Sequence, residues 1–353
     1  MPNSTGSETG ALLAEVLEAA RRRQGLVIRG AGSKSFYGRR TSGRVLEMRG
    51  HTGVIAYEPG EMVITARSGT SLAETEALLA AHGQRLAFEP PDFGQGGTIG
   101  GMVATGLSGP ARPFAGAVRD SVLGARIMDG HGRILRFGGQ VFKNVAGFDG
   151  FRLMAGAMGS LGILLDLSLR VSPIPPVERA VALEGPWSAA RARLDTLLGL
   201  PLALSGAMHD GERLHLRLSG SERAVATAAT RIGGEEAPLS LWQDLRHHRL
   251  PLFAAARLWR LSIPRTAEVE GLTGPRLIDW AGGQIWIDAA EPAEAVRAAA
   301  RAAGGAATLF HGAVDGENAF EPLPIALMAL HRRLKLALDP AWVFNRGRLY
   351  EGL

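Results

Sequence analysis

The hydrophobic pattern switches repeatedly between the two spacings that regular structure allows, about 3.6 residues for a helix and two for a strand. Leu12, Leu13, Val16, Leu17 and Ala20 recur at helical spacing and predict a helix over residues 10–23. The short apolar run 25–29 (GLVIR) predicts a buried strand, and residues 45–48, 54–57 and 62–66 predict three more. Ser71 and Glu74 form a capping-box signature ahead of a helix over 72–82. Residues 119–128 alternate as a strand, Asp129-Gly130 turns, and 133–137 returns as its hairpin partner. A helix over 151–157 leads through the turn Gly159-Ser-Leu-Gly-Ile163 into a strand at 164–171. The segment Ser172-Pro-Ile-Pro-Pro176 then breaks regular structure and marks a boundary. Beyond it, helices at 187–198, 223–232 and 292–303 alternate with strands at 203–208, 214–218, 258–263 and 284–288. That texture predicts a small α/β or α+β unit over the first one. A last helix runs from 323 to about 338, and no internal repeat is visible.

Two stretches follow neither spacing. One is Gly30 to Gly38, GAGSKSFYG, directly after a predicted strand. The other is Pro91 to Asp120, with eight glycines between Gly94 and Gly116, including the pairs Gly96-Gly97 and Gly100-Gly101. Glycine loses the most conformational entropy on folding, so such density points to backbone that must come close to something. With no Lys and only two acids, the second stretch is too apolar for a flexible linker, and it reads as a set of ligand-cradling loops. A strand ending in a glycine-rich turn is a phosphate-cradle geometry. The first turn is nevertheless not the Rossmann fingerprint, because its sixth position is Ser35, and the Walker lysine pattern is absent. Alone it is as consistent with a structural turn.

Composition narrows the class. At 353 residues the chain has room for two or three domains, and 46% hydrophobic residues can build their cores. The 47 glycines are about twice the usual ~7% share. The net charge of +5 comes from 39 cationic residues interleaved with 34 acids and with no block of five, so a solvated mixed surface is expected and not a nucleic-acid face. The absence of cysteine excludes disulfides, cysteinyl flavin links and thiolate-held iron–sulfur clusters in this chain. The polar N-terminus is no secretory signal, and no apolar run reaches ~18 residues. A cytoplasmic protein is expected, peripheral at the inner face of the cytoplasmic membrane at most, and then through partners. Only three of the 39 cations are lysines, Lys34, Lys143 and Lys335, which suggests sites where the broad guanidinium fork does not fit.

Taken together, IRGAGSKSFYG, PDFGQGGTIGGMVATGLSGP, AVRDSVLGARIMDGHGRILRFG, VFKNVAGFD, MGSLGIL and LKLALDPAWVFNRGR resemble the FAD-binding oxidoreductases of the vanillyl-alcohol-oxidase (PCMH) type. The phrases LSGPARPF, FGGQVFKNVAGFD, LWRLSIP, DWAGGQIWI and FNRGRLY are similar to the smaller FAD-binding subunit of bacterial glycolate oxidase, also called glycolate dehydrogenase, from about residue 10 to the end. The resemblance implies an α+β fold: a two-subdomain FAD-binding domain over 1–176, a smaller α/β cap over 177–320, and a helix and tail over 321–353 returning to the FAD domain. It implies that Gly30, Ala31, Gly32, Ser33, Lys34 and Ser35 wrap the FAD pyrophosphate. Pro91, Gly96, Thr98, Ile99, Gly100, Gly101, Ala104 and Ser108 would line the rest of the cofactor. Gly159, Leu161, Gly162 and Ile163 would form a further turn beside it, and Asn345 and Arg348 would come back toward the flavin. Where some relatives attach the flavin to a histidine, this chain has Ser33, so the FAD is expected to be non-covalent.

The implied activity is oxidation of glycolate, a 2-hydroxyacid, to glyoxylate, with partners in a larger FAD-binding subunit and a Cys-rich iron–sulfur subunit that takes the electrons. Lys143 reads either as a surface lysine or as a catalytic cation near flavin or acidic substrate, with Asp149 as counter-ion or loop cap; Lys335 reads as a structural contact. The broader family's GH-x-GDGN-x-H pattern, which positions a substrate carboxylate, is only echoed by His311, Asp315 and Asn318, with wrong spacing and no second histidine, and reads as a structural loop. His247 and His248 are adjacent on a predicted helix and point apart, so no metal site is expected. Two alternatives stay open. One is a stand-alone FAD dehydrogenase for another hydroxyacid such as D-lactate, with Arg112, Arg119, Lys143 or Arg348 holding the carboxylate. The other is a non-catalytic flavin-fold assembly subunit.

Overall fold

The computed structural model describes residues 4–94, 96–139, 150–314 and 317–353. Its N-terminal helix, Ser4–Arg22, turns Leu12, Val16 and Ala19 onto Leu26, Leu46 and Met48, and also onto Val343 and Phe344 from the far end of the chain. Strands Leu26–Arg29 and Arg44–Glu47 pair in parallel, and the C-terminal segment joins them through a parallel bridge between Leu26 and Phe344. The two ends of the sequence therefore share one small core.

Beside it stands a five-stranded antiparallel sheet in the order Val54–Glu58, Val63–Arg67, Ile163–Arg170, Val122–Met128, Ile134–Gly138. Its middle strand, ILLDLSLR, contributes Ile163 and Leu165 to the N-terminal core. It contributes Leu164, Leu167 and Leu169 to a second core shared with the Leu72–Ala81 helix. Burial on both faces explains why this strand is almost continuously apolar. The Leu72–Ala81 helix starts where its sequence predicts, with Ser71 Oγ accepting from the Glu74 amide at 3.4 Å.

The remainder forms an eight-stranded antiparallel sheet in the order Glu235–Ala237, Val177–Glu184, Arg213–Gly220, Leu204–His209, Arg276–Asp279, Gln284–Ile287, Leu258–Ser262, Ala306–His311. Helices Trp187–Leu198, Glu222–Ile232 and Ala293–Ala302 cover one face. On the other face Trp242, Trp286 and Phe310 pack against Tyr37, Leu107 and Met158 from the first half. A buried ion pair also spans the two halves: the Arg217 guanidinium meets Glu89 at 2.8 Å, and Glu89 Oε2 accepts from the Ala111 amide at 2.9 Å.

Three sequence expectations change. The stretch 91–120 is not all loop, because residues Ile99–Thr105 form a helix with both glycines of the pair Gly100-Gly101 inside it. The helix lies so close to strand Val63–Arg67 and the residue after it that a Cβ on Gly100 would sit 2.6 Å from Ser68 Cβ. Close packing therefore overrides the poor helix propensity of glycine. The strand predicted to begin at 119 begins at Val122, because residues Val118–Ser121 make one helical turn that Asp120 caps by accepting from the Ala117 amide at 3.0 Å. His247 and His248 lie just beyond the helix Ser240–Arg246, not within it, and His248 takes a left-handed backbone at φ +55°.

Candidate functional site

A cleft opens where the first glycine turn, the Ile99–Thr105 helix, the turn around Gly159 and the C-terminal tail meet. The first turn is closed by Ser35 and Tyr37, whose amides donate to Gly32 O and Lys34 O at 3.0 and 3.1 Å. The amides of Ala31, Gly32, Ser33 and Lys34 make no hydrogen bond among the described residues. Successive free N–H groups around a left-handed glycine (Gly32, φ +81°) form the kind of nest that holds phosphate oxygens.

Lys34 adds a cation. Only 7% exposed, it is lowered to about 8 by burial, opposed by the Asp92 carboxylate, and its Nζ lies 5.4 Å from the Phe93 ring centroid. The turn itself is glycine by necessity at Gly30, where any side chain would run into the Thr98 hydroxyl that caps the Ile99–Thr105 helix by accepting from the Gly101 amide at 3.1 Å. Gly101 is different, because a Cβ there would meet only Thr98 Oγ1, at 3.1 Å. Ser68 Oγ, on the cleft wall, is buried with no hydrogen-bond partner among the described residues.

The tail braces this cradle. Asn345 Oδ1 accepts from the Ile28 amide at 2.8 Å and its Nδ2 donates to Met158 O at 2.5 Å. Arg348 donates to Lys34 O at 3.2 Å, to Ser35 O at 3.1 Å and to Arg39 O at 3.0 Å. Lys335 Nζ, 1% exposed, donates to Ser160 O, Phe344 O and Asp339 Oδ2 at 2.6 to 2.7 Å, and Asp339 in turn accepts from the Val343 and Phe344 amides. Lys335 is thus the structural contact its position suggested. Both described lysines are buried, and three acceptors converge on one ammonium at Lys335, a geometry suited to a point charge and not to a planar fork.

Of the residues singled out in the sequence, the cleft brings together Gly30, Ala31, Gly32, Ser33, Lys34, Ser35, Thr98, Gly100, Gly101, Ala104, Gly159, Gly162, Asn345 and Arg348. Ile99 and Ile163 are instead fully buried in the cores, Leu161 packs on one of them, and Pro91 and Gly96 lie outside the lining. Ser108 is also outside it, its Oγ accepting from the Val118 amide at 3.0 Å. Lys143, Asp149 and Asp315 fall outside the described residues. Asn318 is committed to Arg39 Nη1 at 2.6 Å, as a structural loop residue would be. Among the described residues no three His, Asp or Glu side chains are grouped to hold a metal ion. Arg119 is exposed, with the Asp120 carboxylate 3.8 Å away.

Sequence reasoning missed Thr41, Ser68, Thr105 and Met158, all on the cleft wall. It also missed a group next to Tyr37, whose hydroxyl receives Arg260 Nη2 at 3.0 Å. Arg260 helps to depress the Arg112 guanidinium, although desolvation is the larger cause, and Arg112 stacks on the Trp280 ring at 4.2 Å. His248 is held neutral by burial, lowered to about 3, against Phe253 at 4.3 Å.

An antiparallel α+β fold that presents free amides, a buried cation and glycine-lined walls in one cleft defines a dinucleotide-binding oxidoreductase of the FAD type, and residues 7–138 match the family model described as "FAD binding domain". The chain covers 94% of its length on an alkyldihydroxyacetonephosphate synthase structure, itself covered to 73%, with a TM-score of 0.65 at 17% identity, which is a likeness of fold. A D-lactate dehydrogenase [cytochrome] of Arabidopsis thaliana is 32% identical over 33% of this chain and 20% of its own. "Glycolate oxidase subunit GlcE" of Escherichia coli (strain K12) is 44% identical over 97% of both chains. The chain belongs to the family of glycolate oxidase GlcE subunits, FAD-binding members of a flavoprotein oxidoreductase. Among the described residues no helix is long and apolar enough to cross a membrane.

Proposed function

We propose that this chain binds FAD non-covalently in the cleft and serves a multi-subunit glycolate oxidase that converts glycolate to glyoxylate, with a larger FAD-binding subunit and a Cys-rich iron–sulfur subunit as partners. The observation that carries the reading is the row of four free amides at Ala31 to Lys34 facing glycine walls. FAD, when bound, supplies the electron acceptor for a 2-hydroxyacid. The protein's part is to hold the phosphates on the 31–34 amides, balance them with Lys34, and keep the tail closed through Arg348 and Asn345. Ser33 stands where an attachment residue would be, and a serine offers no such link. On this reading residues 1–176 are the FAD domain, 177–320 the cap and 321–353 the returning helix and tail. Lys143 is assigned as the cation near flavin or substrate, and the complex works at the cytoplasmic side of the membrane.

A second reading, oxidation of a hydroxyacid by this chain alone, is favoured by Arg112 and Arg260. Neither has a carboxylate within ion-pairing distance among the described residues, Arg260 reaches the Tyr37 hydroxyl, and the two guanidinium groups lie close enough to repel. The test is to purify the chain with its FAD, add glycolate or D-lactate with a dye acceptor, and compare turnover with the intact complex. Low turnover of the isolated chain supports the subunit reading. Turnover matching the complex, abolished by Arg260→Met, establishes the second. A colourless chain that takes up no FAD on titration leaves only an assembly role.

A further inference from the structure

The C-terminal helix Ile325–Leu338, IALMALHRRLKLAL, is apolar in a way the fold does not use. A surface helix ordinarily turns its apolar stripe to the core. Here the one fully buried residue of the helix is Lys335, while Ile325 is 91% exposed, Leu330 55%, Leu336 49% and Leu327 40%. The Lys335 contacts fasten the helix by its last turns, so its first six residues, all apolar, stand free of the core. Single exposed apolar residues are ordinary, but a cluster on one element marks a contact surface. Beside the cluster, Arg332 and Arg333 are exposed, and neither has a carboxylate within ion-pairing distance among the described residues. Elsewhere exposed arginines such as Arg22, Arg29 and Arg301 do have one.

We infer that this helix is the seat of a companion subunit of the same oxidase, one offering an apolar groove edged with carboxylates. The inference rests on the subunit reading above. Charge complementarity selects the occupant. A two-fold contact with a second copy would set this patch's unpaired arginines against those of its partner. A helix that rests on a lipid surface carries a Lys/Arg-rich polar face; this one exposes only Arg332 and Arg333 as cations, with Lys335 buried. The seat also adjoins the cofactor cleft. Lys335 ties the helix to Ser160 and Phe344, whose neighbours Gly159 and Asn345 line that cleft, so a redox partner docked here stands beside the FAD wall.

The test co-expresses the full chain with its companion subunits and measures assembly by size exclusion with light scattering, for wild type, for Ile325→Asp with Leu330→Asp, and for Arg332→Glu with Arg333→Glu. Flavin absorbance of each purified chain reports folding. Because central interface side chains weaken binding strongly when lost, each double variant should assemble at least about tenfold less well while keeping its FAD. Should the aspartate pair shed its FAD, the glutamate pair, which leaves the apolar side chains intact, decides. Variants that keep FAD and assemble like wild type overturn the surface but not the subunit reading. A wild-type chain that never co-elutes with the companions overturns both. A wild-type dimer that the variants dissociate, or capture of the wild-type chain on phosphatidylserine vesicles that they abolish, overturns the inference in favour of a second copy or a membrane.

Discussion

Gly100 and Gly101 are neighbours in one short helix, yet the same substitution should act on them in opposite ways. A Cβ on Gly100 would sit 2.6 Å from Ser68 Cβ and 2.9 Å from the Ser68 carbonyl oxygen, and that backbone cannot yield without moving the helix. Overpacking of this kind costs about 1–3 kcal/mol, so Gly100→Ala should lower the stability of the apo-protein by that amount. A Cβ on Gly101 meets only the Thr98 hydroxyl at 3.1 Å, on the cleft wall. Inside a helix Ala is favoured over Gly by about 1 kcal/mol, which offsets that contact, so Gly101→Ala should leave the apo fold as stable as wild type or slightly more so. With FAD in the cleft as proposed, the new methyl would take up space beside it, and about 1–3 kcal/mol of overpacking there should weaken FAD about five- to 150-fold. Denaturant melts of the apo-proteins and titration of each with FAD, followed by quenching of flavin fluorescence, separate the two effects. The reasoning would be refuted by Gly101→Ala binding FAD within twofold of wild type, or by Gly100→Ala melting no earlier than Gly101→Ala.

Lys335→Met leaves the Asp339 carboxylate buried without its cation, a loss of about 3–5 kcal/mol in a denaturant melt. Lys335→Arg should not restore it, because three acceptors close on a single ammonium. For Lys34 the folded value of about 8 lies below the ordinary 10.5, so apo stability falls as pH drops from about 10.5 to 8 and is level below that. FAD affinity should fall instead as pH rises through about 8, since the nearby phosphates favour the charged form; Lys34→Met should flatten both profiles. His248, lowered from 6.5 to about 3, makes the fold lose stability as pH falls across that window. In acid melts His248→Phe, which keeps the stack on Phe253, should show a shallower loss.

Much of the fold was legible because its strands and helices keep clean periods. Helix Trp187–Leu198 falls where its spacing puts it, and Ile163–Arg170 lies within one residue of its predicted bounds. What escaped reading has identifiable causes. Strand Val177–Glu184, VERAVALE, has charged residues at both ends and follows a proline-rich break, so it shows neither period strongly. The Ile99–Thr105 helix is hidden by its own glycines, of which Gly100 is required by Ser68 some thirty positions earlier. The cradle shows the same division. Gly30 to Ser35 announce themselves by composition, whereas Ser68, Thr41 and Met158 reach the cleft only through chain topology, and nothing local marks them. The scarcity of lysine proved informative for the same reason that topology was hidden: Lys34 and Lys335 sit in buried sites that a guanidinium would not fill.

The way the cradle is assembled bears on how the oxidase would be put together. Its walls come from residues near 30, 100, 160 and 345, and the last of these is held by the packing of Val343 and Phe344 in the N-terminal core, the Leu26–Phe344 bridge, Asn345, Arg348 and the Lys335 contacts. Closing so long a loop costs chain entropy that few contacts recover until all of them form together. A ligand that binds only the closed arrangement adds its binding free energy to that closure. If FAD binds in this cleft as proposed, cofactor, tail and C-terminal helix would order as one unit, and the same helix presents its unused apolar residues outward. A companion subunit seated on that helix would meet its correctly ordered form chiefly in chains that already hold FAD, so assembly would select loaded subunits without any further device.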